Sequence, residues 1–250
     1  MIASDPSGQY VVGDDAGRDR IFVWRLDTAT GKLNEVSVTR ALAGSAPRHF
    51  GFSPDGKTLY VADIDTVVGF DLKTGAETSR VKIPDAKFLN DLATGPDGAI
   101  YATDSFANRV WVVRNGSASL FSDDAKLELP NGILVDGNRV LVATDGRFGR
   151  GGDGTPGSLF AIDIATRVVT PLTRDAIGTP DGFESDGKGG FVLSDVGGGR
   201  IMRVSARGEA TQVATLDRQP ADIAFVQSRR LLVVPHTGLN RLSAYTLTLP

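Results

Sequence analysis

TPDGFESDGKGGFVLSD, residues 179–195, is the stretch on which the fold turns. Asp181 follows a proline. A short extended segment at 182–185 runs into a tight turn around Asp186-Gly187. A second, more apolar segment at 190–194 ends in another carboxylate, Asp195. Two short runs rich in Phe, Val and Leu, separated by Asp-Gly chemistry, spell an antiparallel hairpin.

The same plan recurs outward in both directions. It reads RHFGFSPDGKTLYVAD from Arg48, NDLATGPDGAIYATD from Asn90, NGILVDGNRVLVATD from Asn131 and DIAFVQSRRLLVVPH from Asp222, with a related IASDPSGQYVVGDD from Ile2. Pro-Asp-Gly at 54–56 and 96–98 is hairpin turn chemistry. A third strand follows each hairpin (20–26, 66–72, 109–114, 158–164, 200–205, 241–247), and usually a fourth, as at 77–83, 117–122 and 168–173. Four antiparallel strands repeating every ~40–45 residues match a β-propeller blade. The second strands carry runs that are apolar on both faces, such as Leu59-Tyr60-Val61-Ala62 and Val140-Leu141-Val142-Ala143, which suits blades that stack and bury both faces.

The entry positions 48, 90, 131, 181 and 222 lie 42, 41, 50 and 41 residues apart, the long step reflecting an insertion at 146–156. One step back from Arg48 adds a unit at the start. The expectation is an all-β, six-bladed propeller of four-stranded antiparallel blades in one domain over 1–250. The blades fall near 1–46, 47–88, 89–129, 130–179, 180–220 and 221–250, the last with room for three strands. Its open edge is a pairing surface, so the expected state is a monomer or a weak dimer through that edge.

Composition narrows the partners. Thirty Gly and 12 Pro, spread along 250 residues, indicate many turns. A net charge of −3 with no dense Lys/Arg patch argues against nucleic acid. No apolar run approaches the ~18 residues of a membrane span. Zero cysteines exclude disulfides and thiolate metal sites. The first residues have neither the basic start nor the apolar stretch of a signal peptide. As written the chain reads as cytoplasmic, an exported or periplasmic parent being the alternative.

In a propeller the innermost strands surround a channel, which would gather Arg48, Asn90, Asn131, Asp181 and Asp222 at one end of it. Asp63, Asp104, Asp145, Asp195 and His236, with Asp14 in the first unit, end the second strands; each of the first five follows its entry residue by 14 or 15 positions. That constancy predicts an outer polar ring. Neighbouring carboxylates on the axis would raise one another's pKa unless a cation sat between them. An all-oxygen set suits Ca²⁺ at ~2.3–2.6 Å, whereas zinc or copper is less natural. A channel lined by hydrated polar groups is the alternative. For the outer ring, Asx turns at strand ends are the competing explanation. His236 stands where the other units have Asp, and an imidazole there can transfer protons near neutral pH. The glycine-rich insert at 146–156 is either a lid or a plain connection. Phosphate-loop, nucleophile-elbow and zincin motifs are absent.

KFLNDLATGPDGAIYATD, LPNGILVDGNRVLVATD, TPDGFESDGKGGFVLSD and LLVVPHTGLNRLSAY make residues 50–247 resemble the senescence-marker-protein/gluconolactonase (SMP-30-like) family. The resemblance implies a six-bladed propeller with a divalent metal in its channel and Asn131 and Asp181 as ligands. It further implies that Asn90 touches metal or substrate and that Asp181 acts as base or nucleophile. Residues 1–58 depart from it. DPSGQYVVGDDAGRDRIFVWRLDTATGKLNEV and GSAPRHFGFSPDGKTLYV resemble the seven-bladed 6-phosphogluconolactonase-type lactonases, whose Pro-Arg-His signature includes Arg48 and His49. The two resemblances meet near 53–59, as in a chimera. The glutamate ligand that the gluconolactonase resemblance implies for the first unit's entry position has no counterpart here.

The functional expectation is a divalent-metal-dependent hydrolase of small-molecule lactones or related esters. Asn131, Asp181, Asn90 and Asp222 would hold Ca²⁺, with Mn²⁺, Mg²⁺ or Zn²⁺ as alternatives. Asp181 and His236 would be catalytic, and Asn90, Arg48, His49, Asp104 and Asp145 would surround the substrate. One alternative is a non-catalytic, engineered or chimeric scaffold without a full metal site. Another is a metal-independent lactonase using Arg48 and His49.

Overall fold

The structure is a computed structural model that describes the backbone of residues 2–4, 10–15, 20–27, 32–40, 47–147, 155–216, 219–236, 239 and 241–249. Side chains are described at 21, 23–25 and, from 49 onward, throughout those residues. The chain divides into two compact units, residues 1–121 and 122–250.

In the first unit, β1 (Ile2–Ser4), β2 (Tyr10–Asp15), β3 (Arg20–Asp27) and β4 (Lys32–Arg40) form one antiparallel sheet. The second sheet is β5 (Pro47–Phe52), β6 (Thr58–Asp63), β7 (Thr66–Asp71) and β8 (Glu77–Lys82). The third is β9 (Leu89–Thr94), β10 (Ile100–Asp104), β11 (Arg109–Arg114) and β12 (Ser117–Ser122).

In the second unit, β13 (Pro130–Asp136) and β14 (Arg139–Thr144) are followed by the small pair β15 (Gly146–Arg147) and β16 (Thr155–Pro156). Then β17 (Leu159–Asp163) and β18 (Val169–Pro171) complete the fourth sheet. The fifth is β19 (Pro180–Ser185), β20 (Phe191–Asp195), β21 (Arg200–Val204) and β22 (Ala210–Thr215). The last sheet has three strands, β23 (Ala224–Val226), β24 (Leu231–His236) and β25 (Arg241–Thr246).

These are all-β, propeller-type blades, but the expectation of six is corrected. The described residues form five four-stranded blades, and no fourth strand pairs with β25 among them. The physical reason is that the last repeat has room for three strands only, so its hairpin gains β25 and no outer strand beyond it among the described residues.

Local chemistry builds each hairpin. In Pro54-Asp55-Gly56 the glycine adopts φ +67° and its amide donates to the Ser53 carbonyl at 2.8 Å. Packing then decides which strand lies where. Strands β10 and β20 are buried at every residue, while β8 and β22 are mostly exposed. Ile21 and Val23 of the first sheet meet Phe50, Phe52, Leu59 and Val61 of the second. Ala62 and Val67 of the second meet Leu92, Ile100, Ala102 and Trp111 of the third. In the other unit, Leu141 and Leu159 meet Phe183, Phe191 and Leu193, and Val192 and Ile201 meet Ile223, Phe225 and Leu232. Apolar area leaving water between facing sheets stabilises each interface at about 25 cal/mol per Å². No helix among the described residues is long and apolar enough to cross a membrane.

Candidate functional site

The entry residues sit on β-bulges. Pro130 pairs with Thr144 and Ile133 with Val142, so Asn131 and Gly132 together face Ala143. Pro180 pairs with Asp195 and Phe183 with Leu193, which leaves Asp181 and Gly182 opposite Ser194. Leu89 pairs with Asp104 and Leu92 with Ala102, placing Asn90 and Asp91 opposite Thr103. At β5 the pairs Pro47↔Asp63 and His49↔Ala62 make Arg48 the extra residue. A bulge interrupts the ladder locally and re-aims the side chains it carries, a device frequent beside active sites.

In the second unit the bulges come together. Inner strand β13 packs beside β19, and β19 beside β23. A Cβ built on Gly132 would stand 1.9 Å from the Asp181 carbonyl oxygen, and one built on Gly182 would stand 1.9 Å from Asp222 Oδ1. The glycine after each of these two entry residues therefore lets the next segment approach: Asn131 on β13 and Asp181 on β19 stand on neighbouring strands, and Asp222, on the bend that leads into β23, comes up against Gly182. Asn131 and Asp222 are buried and Asp181 is half-buried. One amide and two carboxylates fit a hard divalent cation, which takes oxygen ligands.

Asn131 Nδ2 donates toward both carboxylate oxygens of Asp145, 3.3 Å to each. Burial pushes the Asp145 carboxyl up to about 6, with the Asn131 hydrogen bond working the other way. In the first unit, Asn90 Nδ2 donates to Ser105 Oγ at 3.1 Å. Ser105 and Asp145 occupy equivalent places: the Ser105 amide donates to the Phe88 carbonyl at 3.0 Å and the Asp145 amide to the Leu129 carbonyl at 3.0 Å.

Asp145 is thus one position beyond the register of Asp104 and Asp195. Those two pair with Leu89 and Pro180, whereas Thr144 pairs with Pro130. Equal spacing in sequence predicts one outer ring, and the register separates its members. Strands β13 and β14 stay paired down to Asp136↔Arg139, while β9 and β10 stop at Thr94↔Ile100 and leave a longer turn.

Asp104 and Asp195 serve the loops that precede their hairpins. Asp104 accepts from the amides of Lys87 (3.0 Å) and Phe88 (2.9 Å) and from Trp111 Nε1 (3.2 Å). Asp195 accepts from the Thr179 amide (3.0 Å), the Gly198 amide (3.1 Å) and Arg200 Nε (2.9 Å). Burial acts to raise the Asp195 pKa, and the donors Thr179, Arg200 and Gly198 hold it below the ordinary carboxylate range. Asp63 is buried beside Pro47 and Thr66 in its sheet.

His49, on β5, sets its Nδ1 against Asp91 Oδ1 on β9, and both are buried. The Asp91 amide also donates to Thr103 Oγ1 at 3.0 Å. Asp91 and Ser105 were missed in sequence, although the Asn-Asp dipeptide at this entry was the available signal. In the second unit, His236 is buried, bridges Pro220 and lies with Nε2 3.4 Å from Tyr245 Oη. The side chains of Arg48 and Asp14, and residues 148–154 of the glycine-rich insert, lie outside the described residues.

Comparison with known proteins adds a family match for part of the chain. Residues 1–80 match the family described as lactonase, 7-bladed beta-propeller, a blade number that also departs from six. No curated protein matches the chain in sequence. Similar solved structures include a chain of a nidogen/laminin complex, with a TM-score of 0.72, 15% identity and coverage of 94% of this chain and 92% of that one. Virginiamycin B lyase from Staphylococcus aureus gives 0.69 and 18% identity over 100% and 84% of the two chains. A gluconolactonase from Xanthomonas campestris gives 0.69 and 19% identity over 94% and 82%. At these identities the likeness is one of fold.

Proposed function

We propose that the protein hydrolyses lactones or related esters with the help of a divalent cation, Ca²⁺ being the best chemical match. The observation that supports this is the close approach of β19 to Gly132 and of Asp222 to Gly182, the positions next to Asn131 and Asp181. The partial match to lactonases and the gluconolactonase among similar folds point to the same substrate class.

Asn131, Asp181 and Asp222 would hold the cation, whose chemistry is to polarise an ester carbonyl. Asp181 is the least buried of the three and belongs to the substrate side. Its carboxylate takes a proton from water as the water oxygen bonds to the carbonyl carbon, or attacks that carbon itself, in which case a water then hydrolyses the resulting anhydride and frees the carboxylate. The ring C–O bond then breaks, and the departing alkoxide gains a proton, for which His236 is the candidate donor. The product is a hydroxy acid. Turnover of a lactone panel followed by pH-stat is the test. Chelator and Asp181→Ala are each expected to abolish it, and turnover surviving both overturns the proposal.

The His49–Asp91 pair supports a second reading, a cation-independent hydrolase in which Asp91 orients the His49 imidazole as base. It predicts activity that resists chelator and disappears in His49→Gln.

A further inference from the structure

We infer that Asp145 is a positioning residue that fixes which way the Asn131 amide faces, and so makes Asn131 an oxygen donor to a cation. This rests on the cation-assisted reading above.

An asparagine side chain offers a carbonyl oxygen on one side and an NH₂ on the other, and rotation by half a turn exchanges them. A cation ligand must present the oxygen. A carboxylate accepts and does not donate, so whichever face of the amide meets Asp145 must be the NH₂. Asn131 Nδ2 lies 3.3 Å from each Asp145 oxygen, which holds the amide nitrogen on that side and turns Oδ1 away from it. The bulge at Asn131-Gly132 leaves the residue outside the regular ladder, so this side-chain contact helps to orient it. The other entry asparagine has a polar partner at the equivalent place beyond its strand, where Asn90 Nδ2 meets Ser105 Oγ. Two asparagines in two sheets thus meet a polar side chain at one register position, and of the two partners only the Asp145 carboxylate, an acceptor alone, fixes which face of the amide it meets. Asp104 and Asp195 do a different job one position earlier, holding loop amides.

The probes are Ca²⁺ and Mn²⁺, titrated calorimetrically into chelator-stripped full-length protein, with melting curves on every variant. Removing an orienting partner of a metal ligand costs roughly 10–100-fold in affinity. Asp145→Ala is expected to bind about tenfold or more weakly. Asp145→Asn keeps an acceptor for the Asn131 nitrogen without the charge, and Asp145→Ser copies the Ser105 arrangement. Both are expected to recover most of the affinity, and they serve as the test should Asp145→Ala not fold. Asp145→Ala binding as tightly as the parent overturns the inference. Asp145→Asn and Asp145→Ser as weak as Asp145→Ala also overturn it, because the carboxylate then acts only as a nearby charge. Parent protein that binds neither ion overturns the cation reading itself, and a parent whose binding is lost in Asp181→Ala but indifferent to Asp145 separates the two failures.

Discussion

Gly132→Ala is the sharpest test of how the second unit is assembled. The new methyl carbon would stand 1.9 Å from the Asp181 carbonyl oxygen and 3.1 Å from both the Asp181 carbonyl carbon and Phe183 Cδ1. Ordinary contact begins near 3.4 Å, so β13 and β19 must part by about 1.5 Å along that line, the difference between 3.4 and 1.9. The obstruction is backbone, which cannot swing aside as a side-chain tip can. Overpacking of this kind costs about 1–3 kcal/mol, and the backbone clash places it at the upper end. For a chain of this size each kcal/mol moves the melting temperature by roughly 2–4 °C, so calorimetry should show a fall of about 6–12 °C. Lactone turnover should fall with it, since the displaced residue is Asp181. Gly137→Ala is the control. Gly137 has φ +59° and nothing within 4 Å of a built Cβ, so it incurs only the left-handed backbone penalty of about 1–2 kcal/mol. If Gly132→Ala melts no lower than Gly137→Ala, the close approach of the inner strands is refuted.

Asp186 should make the fifth hairpin acid-sensitive. It accepts from the Lys188 amide (2.7 Å), the Gly190 amide (2.9 Å) and Arg203 Nε (2.9 Å). Burial works to raise its pKa, and those donors bring it below the usual carboxylate value. Its contribution is therefore present above the unfolded carboxyl pKa of about 4 and lost as pH falls through the lower folded value. Asp186→Asn keeps one acceptor oxygen but removes the charge opposite Arg203 and should cost about 1–3 kcal/mol near neutrality, with a much smaller difference from the parent in strong acid, read from urea curves at several pH values. Asp104→Ala leaves the Lys87 and Phe88 amides and Trp111 Nε1 without their acceptor and should cost about 2–4 kcal/mol, with an altered Trp111 fluorescence; an unchanged urea midpoint contradicts the clasp. Asp181→Ala should abolish lactone turnover while leaving the melting temperature within a few degrees, about 4 °C at most. Its activity assay and the Asp145 titrations test the site at two separate points.

Hairpins, the repeat and the doubly buried second strands were all legible in the chain. Pro54-Asp55-Gly56 and Asp186-Gly187 act over a few residues, and apolar runs such as Val140-Leu141-Val142-Ala143 report burial directly. The blade number departs from six because the last unit, with room in sequence for three strands, counts as a sixth repeat, whereas its sheet among the described residues stops at β25 and is not a four-stranded blade. The site was legible as a set of positions and not as a set of contacts. Asn131 and Asp181 stood out by following prolines, while Asp91 and Ser105 did not stand out at all.

What the sequence by itself determined is which residues turn, which are buried and which polar groups head each inner strand, since turn preference and hydrophobic period act within a few residues. Only the tertiary structure decided that Asp145 turns to Asn131 while Asp104 and Asp195 bind loop amides. That outcome hangs on a one-residue difference in strand register, and on how closely glycines let neighbouring backbones approach. Both are settled by packing between strands, where equal spacing along the chain no longer means an equal place in space.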